Sequence, residues 1–177
     1  MESTKRMIKI FLEPLKGINI QGAGTIEFNL SRPELESKLG KPDSVYDNKL
    51  FYEELELRMD LDKNQRLEFI EFIYGPVTEN IELEIYGLNP FKTKSSDLIE
   101  VLKGHNTGLV DSTEEPYCYA FHGSSIGIYR NSSEAELADK MATCKANGIN
   151  PEQEEWYMEA HYFWTIGLGR EAYYSSK

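Results

Sequence analysis

The sequence predicts an α+β fold of two tandem modules, each a short helix packed on antiparallel strands, with an extra helix inserted in the second. Three observations carry that expectation. A capped helix over Arg32 to Leu39 gives way to a stretch in which apolar residues recur with period two. The same plan returns after a shift of 63 residues, with Phe28 falling on Phe91, Leu35 on Leu98 and Leu39 on Leu102. A further capped helix, 134–147, has no counterpart in the first copy. The modules divide as 1–76 and 77–177.

Met7 to Leu12 sets Ile8, Ile10 and Leu12 against Lys9 and Phe11, an opening strand. Pro14 and Gly17 break it, Gln21 to Gly24 is a turn, and Thr25 to Leu30 leads into the first helix. Ser31 and Glu34 form a capping box, in which the hydroxyl accepts from an orphan amide and the carboxylate reaches back. Pro33 sits in the first turn, where a missing N–H costs nothing. Leu35 and Leu39 share one face. Gly40 suits a left-handed helix end, and Pro42 forbids a restart. Leu55, Leu57, Met59 and Leu61 then alternate with Glu56, Arg58 and Asp60, a strand with one buried and one wet face. Asp62 to Gln65 supplies a turn and Arg66 to Tyr74 returns. Phe69 and Ile70 are adjacent and both apolar, so this strand carries a bulge or is covered on both faces. Gly75-Pro76 closes the module.

Ile81, Leu83 and Ile85 alternate with Glu82, Glu84 and Tyr86, another strand, and Asn89-Pro90 separates it from the second helix, Asp97 to Lys103. That helix ends at Gly104 and lacks the capping box, since Lys94 stands where the repeat would put Ser31. Tyr117 to His122 and Ser125 to Arg130 form a hairpin turning at His122-Gly123-Ser124. Ser132-Ser133 caps the inserted helix, with Leu137, Met141 and Cys144 on one face and Gly148 as its stop. Pro151 to Glu155 starts a helical turn. Ala160 to Leu168, dense in aromatics, reads as a final buried strand, with Gly167 and Gly169 allowing a bend or bulge.

The net charge is −11, a field that repels phosphate backbones and disfavours nucleic-acid binding while attracting cationic partners. It is uneven: from Glu53 to Glu84 ten acids face three bases. Such a run is either a solvated sheet face or a docking surface for a basic partner. Cys118 and Cys144, in strand and helical patterns, point to buried free thiols. No stretch approaches the length of a membrane span, and the first residues lack a leader's pattern, so the expected location is the cytoplasm.

Asp60-x-Asp62-x-Asn64, with Glu71 at the twelfth place, has the ligand spacing of an EF-hand calcium loop. Gln65 stands where that loop needs glycine, and the flanks have period two rather than helical spacing. The competing reading is an acidic hairpin turn. His105, His122 and His161 are too far apart in sequence for a zinc pattern, and no metal or cofactor is expected. His122 with Ser124 or Ser125 lacks an orienting acid and a nucleophile elbow. Gly22-Ala23-Gly24 has no third glycine, because Glu27 occupies its place. With no catalytic pattern, the candidate binding residues are aromatic and acidic: Tyr52, Tyr117, Tyr119 and Trp156 as anchors, with Glu53, Glu54, Glu56, Asp60, Glu82 and Glu84 as the acidic face.

The unit Leu30-Ser31-Arg32-Pro33-Glu34-Leu35, closing at Leu39-Gly40-Lys41-Pro42-Asp43 and followed by strands, resembles the tandem modules of the beta-lactamase inhibitor protein family and the related small outer-membrane lipoprotein fold. It is also similar to small bacterial immunity-type proteins of polymorphic toxin systems, whose closing segment resembles Tyr162 to Gly169 with an aromatic pair like Tyr173-Tyr174. The resemblance implies a non-enzymatic inhibitor and no catalytic residue. The expected function is therefore occlusion of a basic protein toxin by an acidic, tyrosine-bearing sheet face. Two alternatives stand beside it: a small-molecule site or enzyme pocket between the modules near His122 and Trp164, and recognition of a partner strand at a sheet edge.

Overall fold

The computed structural model describes residues 5–150 and 153–175, which form four α-helices and twelve strands in two sheets. The chain opens as a meander of β1 (Ile8–Glu13), β2 (Gly17–Ile20) and β3 (Gly24–Glu27). β2 corrects the expected break at Gly17, which is itself the first residue of a strand. Its φ is 141°, and a Cβ there would strike the Ile26 carbonyl, so only glycine fits.

Helix α1 (Arg32–Leu39) has both halves of its capping box. Glu34 N donates to the Ser31 hydroxyl at 3.4 Å, and Ser31 N donates to the Glu34 carboxylate at 2.7 Å. β4 (Ser44–Tyr46) and β5 (Lys49–Tyr52) follow, in a stretch where the sequence reading placed no strand. β6 (Leu57–Leu61) begins at Leu57 rather than Leu55, because Glu56 takes a φ of 51° and turns the chain. β7 (Leu67–Phe72) carries the bulge: Asp60 pairs with Phe69 and Leu61 with Leu67, leaving Glu68 over. Ile70 faces the core and Phe69 the opposite side, and both are buried.

After a 3₁₀ turn at Gly75–Val77, β8 (Ile81–Glu84) runs parallel beside β1 and completes a four-stranded sheet of order β3-β2-β1-β8. Helix α2 (Ser95–His105) starts 63 residues after α1, and its cap, Lys94, makes no side-chain capping bond. β9 (Val110–Asp111), β10 (Cys118–Phe121) and β11 (Ile126–Tyr129) then repeat the strands of the first module. Helix α3 (Glu134–Ala146) is capped by Ser133 with Glu136 returning the bond. Helix α4 (Gln153–His161) extends beyond the single turn expected there, while Pro151 lies outside the described residues. The last strand, β12 (Thr165–Gly169), is shorter than the aromatic run suggested: Tyr162 and Phe163 belong to the connection, with Phe163 buried.

The larger sheet has eight strands in the order β4-β5-β6-β7-β12-β11-β10-β9, every neighbouring pair antiparallel. From either rim toward the middle, the strands occur in chain order. Each module thus gives a helix and a four-stranded meander, and the meanders join where β7 meets β12. The insertion of α3 and α4 falls between the third and fourth strands of the second module. The core is continuous across both: Leu35 from α1, Leu98 and Leu102 from α2, Ile10 and Leu83 from the small sheet, and Met59, Ile70, Ile128 and Ile166 from the large one belong to a single cluster. Burial of this kind is worth about 1.5–3 kcal/mol for each large apolar side chain.

Candidate functional site

In the large sheet, residues that alternate with the core-facing ones emerge on the opposite side. Strand register lines them up in one row across all eight strands: Ser44, Phe51, Arg58, Glu71, Gly167, Gly127, Ala120 and Asp111. The first half of the row is aromatic and charged. Arg58 donates to both carboxylate oxygens of Asp60, at 2.7 and 3.0 Å, and lies 3.5 Å from Glu71. Its guanidinium also sits 5.9 Å over the Phe69 ring. Burial pushes the Glu71 carboxyl up, with Arg58 pulling against it.

The second half of the row begins with two glycines, Gly167 and Gly127. The segment 170–175 folds back over it: a Cβ at Gly127 would run into the Tyr174 hydroxyl, one at Gly169 into Tyr173, and one at Gly167 into the Phe69 ring on which Tyr173 stacks. Tyr173 stacks on Phe69 at 4.6 Å and an interplanar angle of 11°. Tyr174 stands edge-on to both rings. Burial, then Tyr173 and Glu71, push the Tyr174 phenol far above the usual tyrosine range. The segment is fixed at its root by Arg170, which donates to Asp62 at 2.7 Å and to Asn29 at 3.1 Å, and whose carbonyl accepts from the Ser125 hydroxyl at 2.9 Å.

The ten residues expected to bind do not share one face. Three point inward or hold loops. Tyr52 is 5% exposed and donates its hydroxyl to the Gly40 carbonyl, fastening the end of α1. Tyr119 is 4% exposed and packs edge-on against Phe163. Glu56 is 7% exposed, and its carboxylate accepts from the amides of Glu79 and Asn80. Glu53 and Glu54 are exposed in the adjoining turn. Glu82 and Glu84 lie on β8 in the small sheet, with Glu84 paired to Lys9 at 3.8 Å. Tyr117 donates to Glu136 at 2.6 Å and so ties β10's approach to α3. Trp156 lies on α4 beneath the Lys140 ammonium, 3.7 Å from its ring. Asp60 alone of the ten belongs to the open face of the large sheet. Sequence reasoning missed its neighbours Phe51, Phe69 and Glu71 there; the glycine pair and the closing tyrosines were the available signal.

The residues with metal-loop spacing have other partners. Asp60 holds Arg58, and Asp62 accepts from the amides of Asn64 and Arg66 and from Arg170. Among the described residues no group of three or more His, Cys, Asp or Glu is arranged to hold a metal ion. His122 meets the Ser175 hydroxyl at 3.4 Å, Ser124 donates to Asn106 at 3.1 Å, and Ser125 holds Arg170. His105 stacks on Tyr86 at 3.8 Å, and His161 lies tilted by 31° against Tyr157 at 4.1 Å. Both cysteines are free, Cys144 buried and Cys118 half-buried. Among the described residues no helix is long and apolar enough to cross a membrane. The outermost strands of the large sheet are short, three residues in β4 and two in β9, which limits the backbone ladder available to a partner strand. Compared with known protein families, curated proteins and solved structures, the chain matches none.

Proposed function

We propose that the protein is a non-enzymatic binding module that occludes a basic protein, most concretely a toxin met in the cytoplasm. The carrying observation is the register row on the large sheet, where both modules contribute to one face that α1 and α2 leave uncovered, their buried leucines pointing into the core instead. Phe51, Tyr173 and the exposed Tyr129 supply aromatic contact area, with the buried Phe69 ring supporting Tyr173 from beneath, and Asp60 and Glu71 supply acceptors beside it. The net charge of −11, with Glu53, Glu54, Glu82 and Glu84 exposed or half-exposed, steers a cationic partner toward the molecule. The resemblance to tandem-module inhibitors and toxin-immunity proteins points the same way.

The test is calorimetric titration against a purified cationic toxin domain, at low and high salt. The expected result is affinity that falls steeply with ionic strength and falls again when Phe51→Ala is introduced. Protection from hydrogen exchange confined to surfaces other than β5, β6, β7 and residues 170–175 would overturn the assignment of the face.

A further inference from the structure

One large aromatic ring on the outer side of the large sheet is almost without exposure. Phe69 points away from the core, yet only 5% of it is accessible. Residues 171–175 shield it: Tyr173 stacks on the ring at 4.6 Å, and Tyr174 stands edge-on to it at 6.3 Å. Glu71 is covered from the same side. It lies opposite Gly167 in the register, close enough for its charge to act on the Tyr174 phenol. Gly167 and Gly127 have no side chains, which leaves the room that Phe69 and Tyr174 occupy.

The covering segment and its root are held differently. At the root, Gly169 N donates to the Ser125 carbonyl at 2.8 Å and Arg170 N to that of Glu68 at 2.9 Å, while the guanidinium grips Asp62 and Asn29. Beyond Arg170 the chain winds as turns instead of adding a strand. Tyr173 N donates to the Arg170 carbonyl at 3.0 Å and Ser175 N to that of Ala172 at 3.1 Å. Ala172 has a φ of 63°, left-handed backbone that a side chain disfavours. Lifting residues 171–175 gives up the ring contacts and the 3.4 Å approach of Ser175 to His122, while the sheet keeps its ladder, because β12 ends at Gly169.

We propose that residues 171–175 are an autoinhibitory strap: they open about Arg170 with the sheet intact, and a protein partner binds the form in which Phe69 and Glu71 are uncovered. This regulation rests on the protein-binding reading of the same face. Tyr173, the ring a partner meets on the closed form, is also the ring it displaces. A partner that needs the open form binds with an affinity reduced by the fraction of chains that are open.

The first experiment needs no toxin. It uses the full chain carrying Tyr173→Ala and Tyr174→Ala, checked for folding by amide NMR, and the peptide acetyl-Glu-Ala-Tyr-Tyr-Ser-amide as probe. The expected result is saturable binding with shifts at Phe69, Glu71, Gly127 and Gly167. Binding to the wild-type chain should be at least about tenfold weaker, since its own rings hold the place. No saturable shift at millimolar peptide, shifts located elsewhere, or equal affinity for the two chains would each overturn the proposal. The second experiment titrates both chains with the cationic toxin domain. The double variant should bind at least about tenfold more tightly, and in the wild-type complex residues 171–175 should exchange hydrogen faster while β6 and β7 are protected. Weaker binding by the double variant would make Tyr173 a direct contact, which overturns the strap and leaves the face assignment standing. A toxin domain that binds neither chain removes the toxin reading, and the peptide result then decides on the strap alone. Should the double variant fail to fold, hydrogen exchange on the wild-type chain decides. Tyr173 and Ser175 amides that exchange ahead of β12 support the strap, and exchange of all of them together, only on global unfolding, overturns it.

Discussion

Replacing Glu56 by alanine is expected to destabilise the fold without touching any docking surface. The carboxylate accepts from Glu79 N at 2.9 and 3.2 Å and from Asn80 N at 3.1 Å. Hydrogen bonds to a charged acceptor contribute about 1.5–3 kcal/mol each, and amides left buried without a partner cost the same order. Two amides therefore set a ceiling near 6 kcal/mol on the roughly 3 kcal/mol scale per bond. The neighbourhood is acidic, with Glu53, Glu54 and Glu79 close in the chain or bonded, and removing one negative charge returns part of the loss. The net expectation is about 2–4 kcal/mol. For a domain of this size that corresponds to a melting temperature lower by about 5–15 °C. Glu56→Gln keeps one oxygen where Oε2 accepts from both amides, so it should lose roughly half as much. Urea denaturation followed by tryptophan fluorescence, with calorimetry alongside, measures both. An alanine variant within about 0.5 kcal/mol of the parent would refute the assignment of Glu56 as the clamp between β6 and β8. So would a glutamine variant as damaged as the alanine one.

Gly127→Ala should cost about 1–3 kcal/mol through collision with the Tyr174 hydroxyl, and most of that cost should vanish in a Tyr174→Ala background, read as a double-mutant cycle. Tyr174 has its phenol pushed upward in the folded state, so its contribution is intact below the ordinary tyrosine range of about 10 and is lost as pH rises beyond it. Stability measured between pH 9 and 11 should fall less steeply in Tyr174→Phe, given pH 9–11 as roughly the window around that value. Arg130, 4% exposed, donates to the carbonyls of Pro116 and Ala160 at 2.9 and 2.7 Å and pairs with Glu134 at 3.0 Å. Arg130→Met should cost about 3 kcal/mol and speed hydrogen exchange in α3 and α4 ahead of the rest of the chain.

Much of the architecture is legible in the sequence because the repeat is carried by buried side chains. Phe28 and Phe91, Leu35 and Leu98 occupy the same places in the two modules, and burial constrains their type. The capping boxes of α1 and α3 are equally readable, since the bonds they make are local. β4 is not readable: all three residues are exposed, so no alternation marks it. The aromatic run from Tyr162 reads as strand because packing, rather than propensity, places Phe163 in a loop. The open face is hidden for a different reason. Phe51, Arg58 and Glu71 become neighbours only through pairing across three strands, a relation that no local pattern records. Tyr52 and Tyr119 differ from exposed tyrosines in direction alone, which a β-strand reverses at every residue.

β12 fills the gap between β7 and β11, yet among the described residues it is the last strand in chain order. During synthesis the two half-sheets must wait, each with an unsatisfied ladder of amides and carbonyls facing the vacancy, until Thr165–Gly169 leaves the ribosome. A chain stopped before that keystone strand retains both inserted helices and the β1–β8 pairing but loses the ladder that joins the two halves of the large sheet. Without β12, the edges of β7 and β11 that it pairs with are open to strands of other copies, and such a product is prone to self-association.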